Sequence, residues 1–276
     1  MKHAQIAFIG GGNMATSLIA GLVADGYQPQ RLIVSDPDPA KARALTERFG
    51  VRAAASNAAA VAEADTLVLC VKPQIAPTVC RELAGRLGSR LSLVISVMAG
   101  VREATIADWL GTALPIVRAM PNTPAMLQAG AVGLHASPRA SAAQRNQAET
   151  ILRAVGMVRW VAEEDLIDAV TAISGSGPAY FFLLMETLEA AAVDLGLPAE
   201  DARLLTIQTA LGAARMAIEG GDAPATLRAR VTSPGGTTEA ALAVFAAGDL
   251  EDLVARATAA ARRRAAELSD QLTEQS

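Results

Sequence analysis

The chain has 276 residues, enough to bury a large core and form one or two domains. A formal net charge of −4, a pI near 5.3 and an aromatic content of 3% argue against nucleic acid or an anionic membrane as the main partner. Hydrophobic residues, led by alanine, make up 51%, yet no uninterrupted apolar run reaches the ~18 residues of a membrane span.

The N-terminus, MKHAQIAFIGGG, has too short an apolar run and no cleavage site for a signal peptide. Cys70 and Cys80 show neither zinc spacing nor a disulfide framework, so a soluble, cytoplasmic protein is expected. Residues 4–9, AQIAFI, read as a buried strand. Gly10, Gly11, Gly12, Asn13, Met14 and Ala15 follow and fit G-x-G-x-x-A ahead of an apolar-periodic helix, SLIAGLVADG. Glycines there let the backbone turn tightly and approach a pyrophosphate, whose charge meets the amides of the helix N-terminus.

A second strand is predicted over 31–35, and its tip reads Ser35-Asp36-Pro37-Asp38. A carboxylate at such a tip binds the ribose hydroxyl of NAD. Ser35, with Lys41 or Arg43 nearby, suits the 2′-phosphate of NADP instead. A turn that caps the next helix accounts for the same residues, so the tip alone leaves the cofactor open.

The alternation continues. Strands are predicted over 66–71, ahead of Lys72-Pro73 and a helix, over 91–97, ending at Met98-Ala99-Gly100, and over 114–120, ending at Pro121-Asn122. AVGLHA and GMVRWV complete the pattern around a helix at 139–154. This predicts an α/β, doubly wound, Rossmann-type dinucleotide-binding domain over 1–162, mostly parallel with an antiparallel edge. Ligands bind at the carboxyl ends of such strands, where Lys72, Met98 to Gly100 and Asn122 fall.

From residue 163 the strands stop, and residues 163–276 read as an all-α domain. EEDLIDAVTAIS predicts a helix with acids in its first turn, interrupted by Ser174-Gly175-Ser176-Gly177-Pro178. The next helix, AYFFLLMETLEAAAVDLG, is apolar on most faces through its first turns and needs another subunit to bury it, so a homodimer is expected. A helix over 200–219 follows, then VTSPGGTTEAAL at 231–242 opening a helix near Thr238, then a last helix whose Arg262, Arg263 and Arg264 read as a solvated face.

The missing residues narrow the chemistry. No lysine follows Lys72, Tyr180 has no lysine near it, and His135 lies in an alternating apolar stretch where a structural role is expected. No ligand cluster suggests a metal. A ketone reductase needs a general acid for the developing alkoxide. A protonated C=N carbon is already electrophilic and needs positioning and electrostatics, so an imine substrate is favoured.

Over nearly its whole length the chain resembles the pyrroline-5-carboxylate reductase family. The resemblance is carried by FIGGGNMATSLIAGL at 8–22, VKPQ at 71–74, MPNTPAMLQAGA at 120–131, EEDLIDAVTAISGSGPAYFF at 163–182 and VTSPGGTTEAAL at 231–242. It implies reduction of 1-pyrroline-5-carboxylate to L-proline, the last step of proline biosynthesis. NADP(H) is the cofactor implied first, with NAD(H) as the alternative. The assembly implied is a homodimer built through the helical domain, with a homodecamer, a pentamer of dimers, as the larger form.

The same resemblance implies that residues 10–15 bind the pyrophosphate and that Ser35 and Asn57 meet the adenosine end. Val71, Lys72 and Pro73, with Met98, Ala99 and Gly100, would line the nicotinamide side. Glu164, Gly236, Thr237 and Thr238 would surround the substrate. Backbone amides of Gly236, Thr237 and Thr238 would hold its carboxylate, and the Thr238 hydroxyl, the catalytic candidate, would meet the ring nitrogen. Capping of the helix is the bland alternative for both threonines. Arg230 falls where some relatives carry an uncharged polar residue that reaches the cofactor, which leaves its role open, and Ser176 and Gly177 suit close helix packing. A reductase of a six-membered cyclic imine and a nucleotide sensor without turnover are the rival readings.

Overall fold

The computed structural model describes residues 4–274. The short apolar runs become strands and the periodic segments between them helices, in the order β1 (Ile6–Ile9), α1 (Asn13–Ala24), β2 (Leu32–Ser35), α2 (Pro39–Phe49), β3 (Arg52–Ala53) and α3 (Asn57–Ala62). Next come β4 (Thr66–Leu69), α4 (Ala76–Leu83), β5 (Leu93–Ser96), α5 (Glu103–Leu110), β6 (Ile116–Met120), β7 (Gly130–Ala136), α6 (Ala142–Arg153) and β8 (Gly156–Trp160). They form one sheet in the order β3-β2-β1-β4-β5-β6-β7-β8. Its first six strands are parallel; β7 runs antiparallel to β6, with Met120 opposite Gly133, and β8 follows β7 in parallel.

Helices on both faces explain why the strands read as unbroken apolar runs: β1, β2, β4 and β5 are buried along their whole length. Successive side chains go to opposite faces. Ile6 and Phe8 join Leu18, Leu22, Leu45 and Ile151 in one core, while Ala7 and Ile9 join Leu67, Leu69, Leu83 and Trp109 in the other. The strand β3 carried no sequence signal, because Arg52 and Ala53 are both exposed at the sheet edge.

The remaining elements are α7 (Leu166–Val170), α8 (Gly177–Asp194), α9 (Ala199–Glu219), α10 (Pro224–Arg230), α11 (Thr237–Ala247) and α12 (Leu250–Glu274). The expected interruption at Ser174–Pro178 does not occur. The chain instead widens into one π turn over Thr171–Gly175, with the Ser176 N–H donating to the Thr171 carbonyl at 2.8 Å. Ser176 keeps helical backbone angles, so the path stays helical although Pro178 supplies no N–H, and the Ser174 carbonyl accepts from Asn122 instead. The run Leu166–Asp194 is thereby long and apolar enough, by length and composition, to cross a membrane, although Asp168, Glu186, Glu189 and Asp194 lie along it. The short helix α10 was also unforeseen, its seven residues lying just after Gly220-Gly221.

Two compact units result. One holds the chain up to Ser176 together with the stretch from Ala261 onward; the other is Gly177–Ala260. The contact boundary falls beyond the compositional one at residue 162, because α7 packs on β6 and β7 and belongs with the sheet. The final turns of α12 do likewise: Leu268 and Leu272 face Gly100, and Thr273 meets Thr105.

Candidate active site

In the first unit the parallel strands end together, and their tips carry the predicted nucleotide residues. The chain leaves β1 for α1 beside the end of β4, where the strand order reverses. Gly10 has φ +99°, and a Cβ there would lie 2.7 Å from the Cys70 carbonyl oxygen, so only glycine suits the position. Its N–H donates to the Ser35 carbonyl at 2.8 Å. Gly12 occupies the N-cap of α1, where it offers no side-chain cap, and a Cβ there would meet nothing within 4 Å. The space before the first-turn amides of Asn13, Met14 and Ala15 is therefore open, as a bound pyrophosphate requires.

Asp36 has a definite task. Its Oδ2 accepts the Gly11 N–H at 2.8 Å, its Oδ1 accepts the Asp38 N–H at 2.9 Å, and Lys41 Nζ stands 3.9 Å away. The carboxylate braces the glycine loop from behind. Ser35, 4% exposed, donates to Asn57 Oδ1 at 2.8 Å, which ties the β2 tip to the first residue of α3. Val71 is half-buried, Lys72 is exposed, and Pro73 opens a single 3-10 turn beyond β4. Beyond β5, Met98 is buried, Ala99 is exposed and Gly100 turns with φ +73°. Burial pushes the Cys70 thiol up, and the Cys80 thiol up to about 12, which favours the protonated thiol in both.

Glu164 lies in the turn that opens α7 and lines a cleft of about 660 Å³ alongside α5. Its Oε1 accepts the Glu103 N–H at 2.8 Å and a hydrogen bond from Arg118 Nη1 at 3.2 Å. Arg118 Nη2 stands 3.6 Å from Asp168 Oδ1, and His135 Nδ1 is 2.7 Å from Glu103 Oε1. Burial raises the Glu103 and Asp168 carboxyls, against the lowering effect of His135 on the first and of Arg118 on the second. The sequence reading missed this network. Its signal was an arginine inside the apolar run LPIVRAM, since a buried guanidinium requires acids. Asn122, at the end of β6, bridges Ala131 N–H and the Ser174 carbonyl, each at 2.9 Å, and so anchors the π turn.

In the second unit, VTSPGGTTEAAL forms a turn and then α11. Gly235 has φ +70°, and its N–H donates to Glu239 Oε2 at 2.7 Å. The N-cap falls on Gly236, which has no side chain, so Thr237 and Thr238 occupy the first and second helical positions. The capping alternative for the threonines is not what the chain adopts. Arg230 forms a two-pronged ion pair with Asp222. The structure thus gathers the nucleotide set on the first unit, and the substrate set falls on both: Glu164 on the first, Gly236 to Thr238 on the second.

Within α8 and α9 of the second unit, Phe181, Phe182, Leu183, Leu204 and Leu211 are all exposed in the single chain. So many exposed large apolar side chains on two neighbouring helices mark an interaction face.

Comparison with known proteins gives two family matches. Residues 164–268 match pyrroline-5-carboxylate reductase dimerisation, and residues 5–100 match NADP oxidoreductase, coenzyme F420-dependent. The chain is 51% identical over 272 residues to the pyrroline-5-carboxylate reductase of Pseudomonas aeruginosa, covering 99% of each. A solved pyrroline-5-carboxylate reductase from Coxiella burnetii superposes with a TM-score of 0.93 at 50% identity, over 96% of this chain and 98% of that one. The Plasmodium falciparum pyrroline carboxylate reductase, solved with NADP bound, superposes with a TM-score of 0.84 at 26% identity, over 98% of this chain and 99% of that one.

Proposed function

The chain belongs to the pyrroline-5-carboxylate reductase family, and from that premise we propose how its residues divide the work of reducing 1-pyrroline-5-carboxylate to L-proline. The nicotinamide supplies the hydride when bound. The protein's part is to hold both reactants and to stabilise charge. Residues 10–15 hold the pyrophosphate at the open N-terminus of α1, and Ser35 and Asn57 meet the adenosine end. Val71, Lys72 and Pro73 and the Met98–Gly100 turn line the nicotinamide side, supported by their place at the ends of β4 and β5. Thr237 and Thr238 bind the substrate carboxylate through backbone amides beyond the cap residue Gly236, whose own N–H donates to the Ser233 carbonyl at 3.0 Å; Glu164 presents a carboxylate to the protonated imine, and the Thr238 hydroxyl orients the ring nitrogen.

One observation carries the substrate reading: the N-cap of α11 is a glycine, so no side chain competes for the first-turn amides of Thr237 and Thr238. For the cofactor, NADP(H) is preferred and NAD(H) accepted. The engagement of Asp36 with Gly11 and Asp38 supports this, because it removes the acid that would otherwise read the ribose. The exposed apolar faces of α8 and α9, with the dimerisation match, support a homodimer; association of five such dimers and a cytoplasmic location follow from the family resemblance alone. The dinucleotide-binding part is assigned to residues 1–162 and the substrate and dimerisation part to residues 163–276, supported by the dimerisation match beginning at residue 164.

The test follows NADPH absorbance on addition of 1-pyrroline-5-carboxylate, with NADH in parallel. Oxidation with proline as product, faster with NADPH, is expected. Binding of NADPH without oxidation would overturn the reaction.

A further inference from the structure

Arg118 stands in an apolar strand, 1% exposed, between Val117 and Ala119. A guanidinium buried this deeply calls for compensating acids. They come from either end of one helical turn: Glu164, at its opening, and Asp168, four residues on. The pairing is unequal. Nε and Nη2 of Arg118 and Oδ1 of Asp168 are buried without a hydrogen-bond partner, while Nη1 is bonded to Glu164. An arginine serving the fold alone would be better served by bonding the acid that is as buried as itself. This one directs its hydrogen bond to the acid that reaches solvent, Glu164, whose side chain is 20% exposed against 5% for Asp168.

The acceptor atom matters as much. The Arg118 and Glu103 bonds both fall on Oε1 of Glu164, and among the described residues no hydrogen bond falls on Oε2. Two donors thus lock one oxygen and leave the other free on a residue that lines the cleft. The geometry points to Arg118 as a positioning residue for the reaction: with the Glu103 amide it fixes Glu164 so that Oε2 faces the protonated imine. This rests on Glu164 being a substrate residue, as proposed above.

The experiment measures substrate KM, kcat and NADPH affinity for Arg118→Lys, Glu164→Gln and the double variant. A lysine keeps the charge but loses the fork. Losing one charge-assisted hydrogen bond is expected to raise substrate KM by about 10-fold in each single variant, with NADPH affinity unchanged within about twofold. The double variant is expected to match Glu164→Gln alone, because the arginine acts through the glutamate. Raised KM in Glu164→Gln with wild-type KM in Arg118→Lys, or effects that multiply in the double variant, would overturn the proposal and leave the substrate role of Glu164 standing. Unchanged KM in Glu164→Gln would overturn both. Arg118→Met, similar in length and uncharged, takes the place of the lysine variant if that one does not fold.

Discussion

The carboxylate of Asp36 accepts the backbone N–H of Gly11 at 2.8 Å, an acid at the tip of β2 bracing the glycine loop at the tip of β1. An acid at this position reads a ribose when it points outward; here it points back. Asp36→Ala is therefore expected to weaken NADPH and NADH binding by a similar factor, about 10-fold, as the loop loses a charge-assisted bond. Fluorescence titration of both nucleotides checks it. A loss confined to NADH would place Asp36 on the ribose.

Lys41 is the cation of that corner, its side chain 53% exposed and 3.9 Å from Asp36. If it meets a 2′-phosphate, Lys41→Ala should raise the KM for NADPH about 5- to 10-fold and leave that for NADH unchanged. The NADPH effect should shrink as salt is added. Equal effects on both nucleotides would remove Lys41 from the recognition of phosphate.

Thr238 sits at the second position of α11, with Gly236 at the cap. Its hydroxyl is thus not needed as the cap of the helix. Thr238→Ala should lower kcat ~10- to 100-fold with little change in the melting temperature, and Thr238→Ser should restore most of the loss. Steady-state kinetics with a thermal melt separates the two readouts. Wild-type turnover in the alanine variant would end the catalytic assignment.

Glu149 offers a pH-dependent test of the fold. Trp160 Nε1 donates to its Oε2 and Arg153 to its Oε1, each at 2.6 Å, and these bonds hold its carboxyl below the ordinary glutamate range, the tryptophan contributing most. A depressed folded-state pKa contributes stability that is present above the unfolded pKa and lost as pH falls through the folded one. Glu149→Gln should cost about 1 kcal/mol at pH 7, with the gap to the wild type closing below about pH 4. Urea melts at the two pH values, followed by tryptophan fluorescence, check it. A gap that persists in acid would show that shape rather than charge carries the contact.

The sheet was legible because buried parallel strands are unbroken apolar runs, and Gly10–Ala15 was legible because strand, glycines and helix follow one another. What stayed hidden depends on partners far along the chain. Nothing near Asp36 says that it turns toward Gly11 rather than outward. Arg118 sits 46 residues before Glu164 and 50 before Asp168, and only the packing of α7 on β6 brings them together. The π turn was misread as a break because Ser-Gly-Ser-Gly-Pro is ordinary loop chemistry; the Asn122 bonds to Ala131 and Ser174 hold it helical.

The helical unit makes the last prediction. Phe181, Phe182 and Leu183 are consecutive in α8 and each more than half exposed, so no single face of the helix could hide them within one chain. A second copy can, through an interface that resembles a core cut in half. A charge placed there would be buried without a partner, at a cost of several kcal/mol. Phe182→Glu is therefore expected to sediment at the mass of one chain, to melt at a lower temperature, and to lose the concentration dependence of melting that an assembled wild type shows. Wild-type mass and melting in that variant would mean that the partner sits elsewhere on the helical unit.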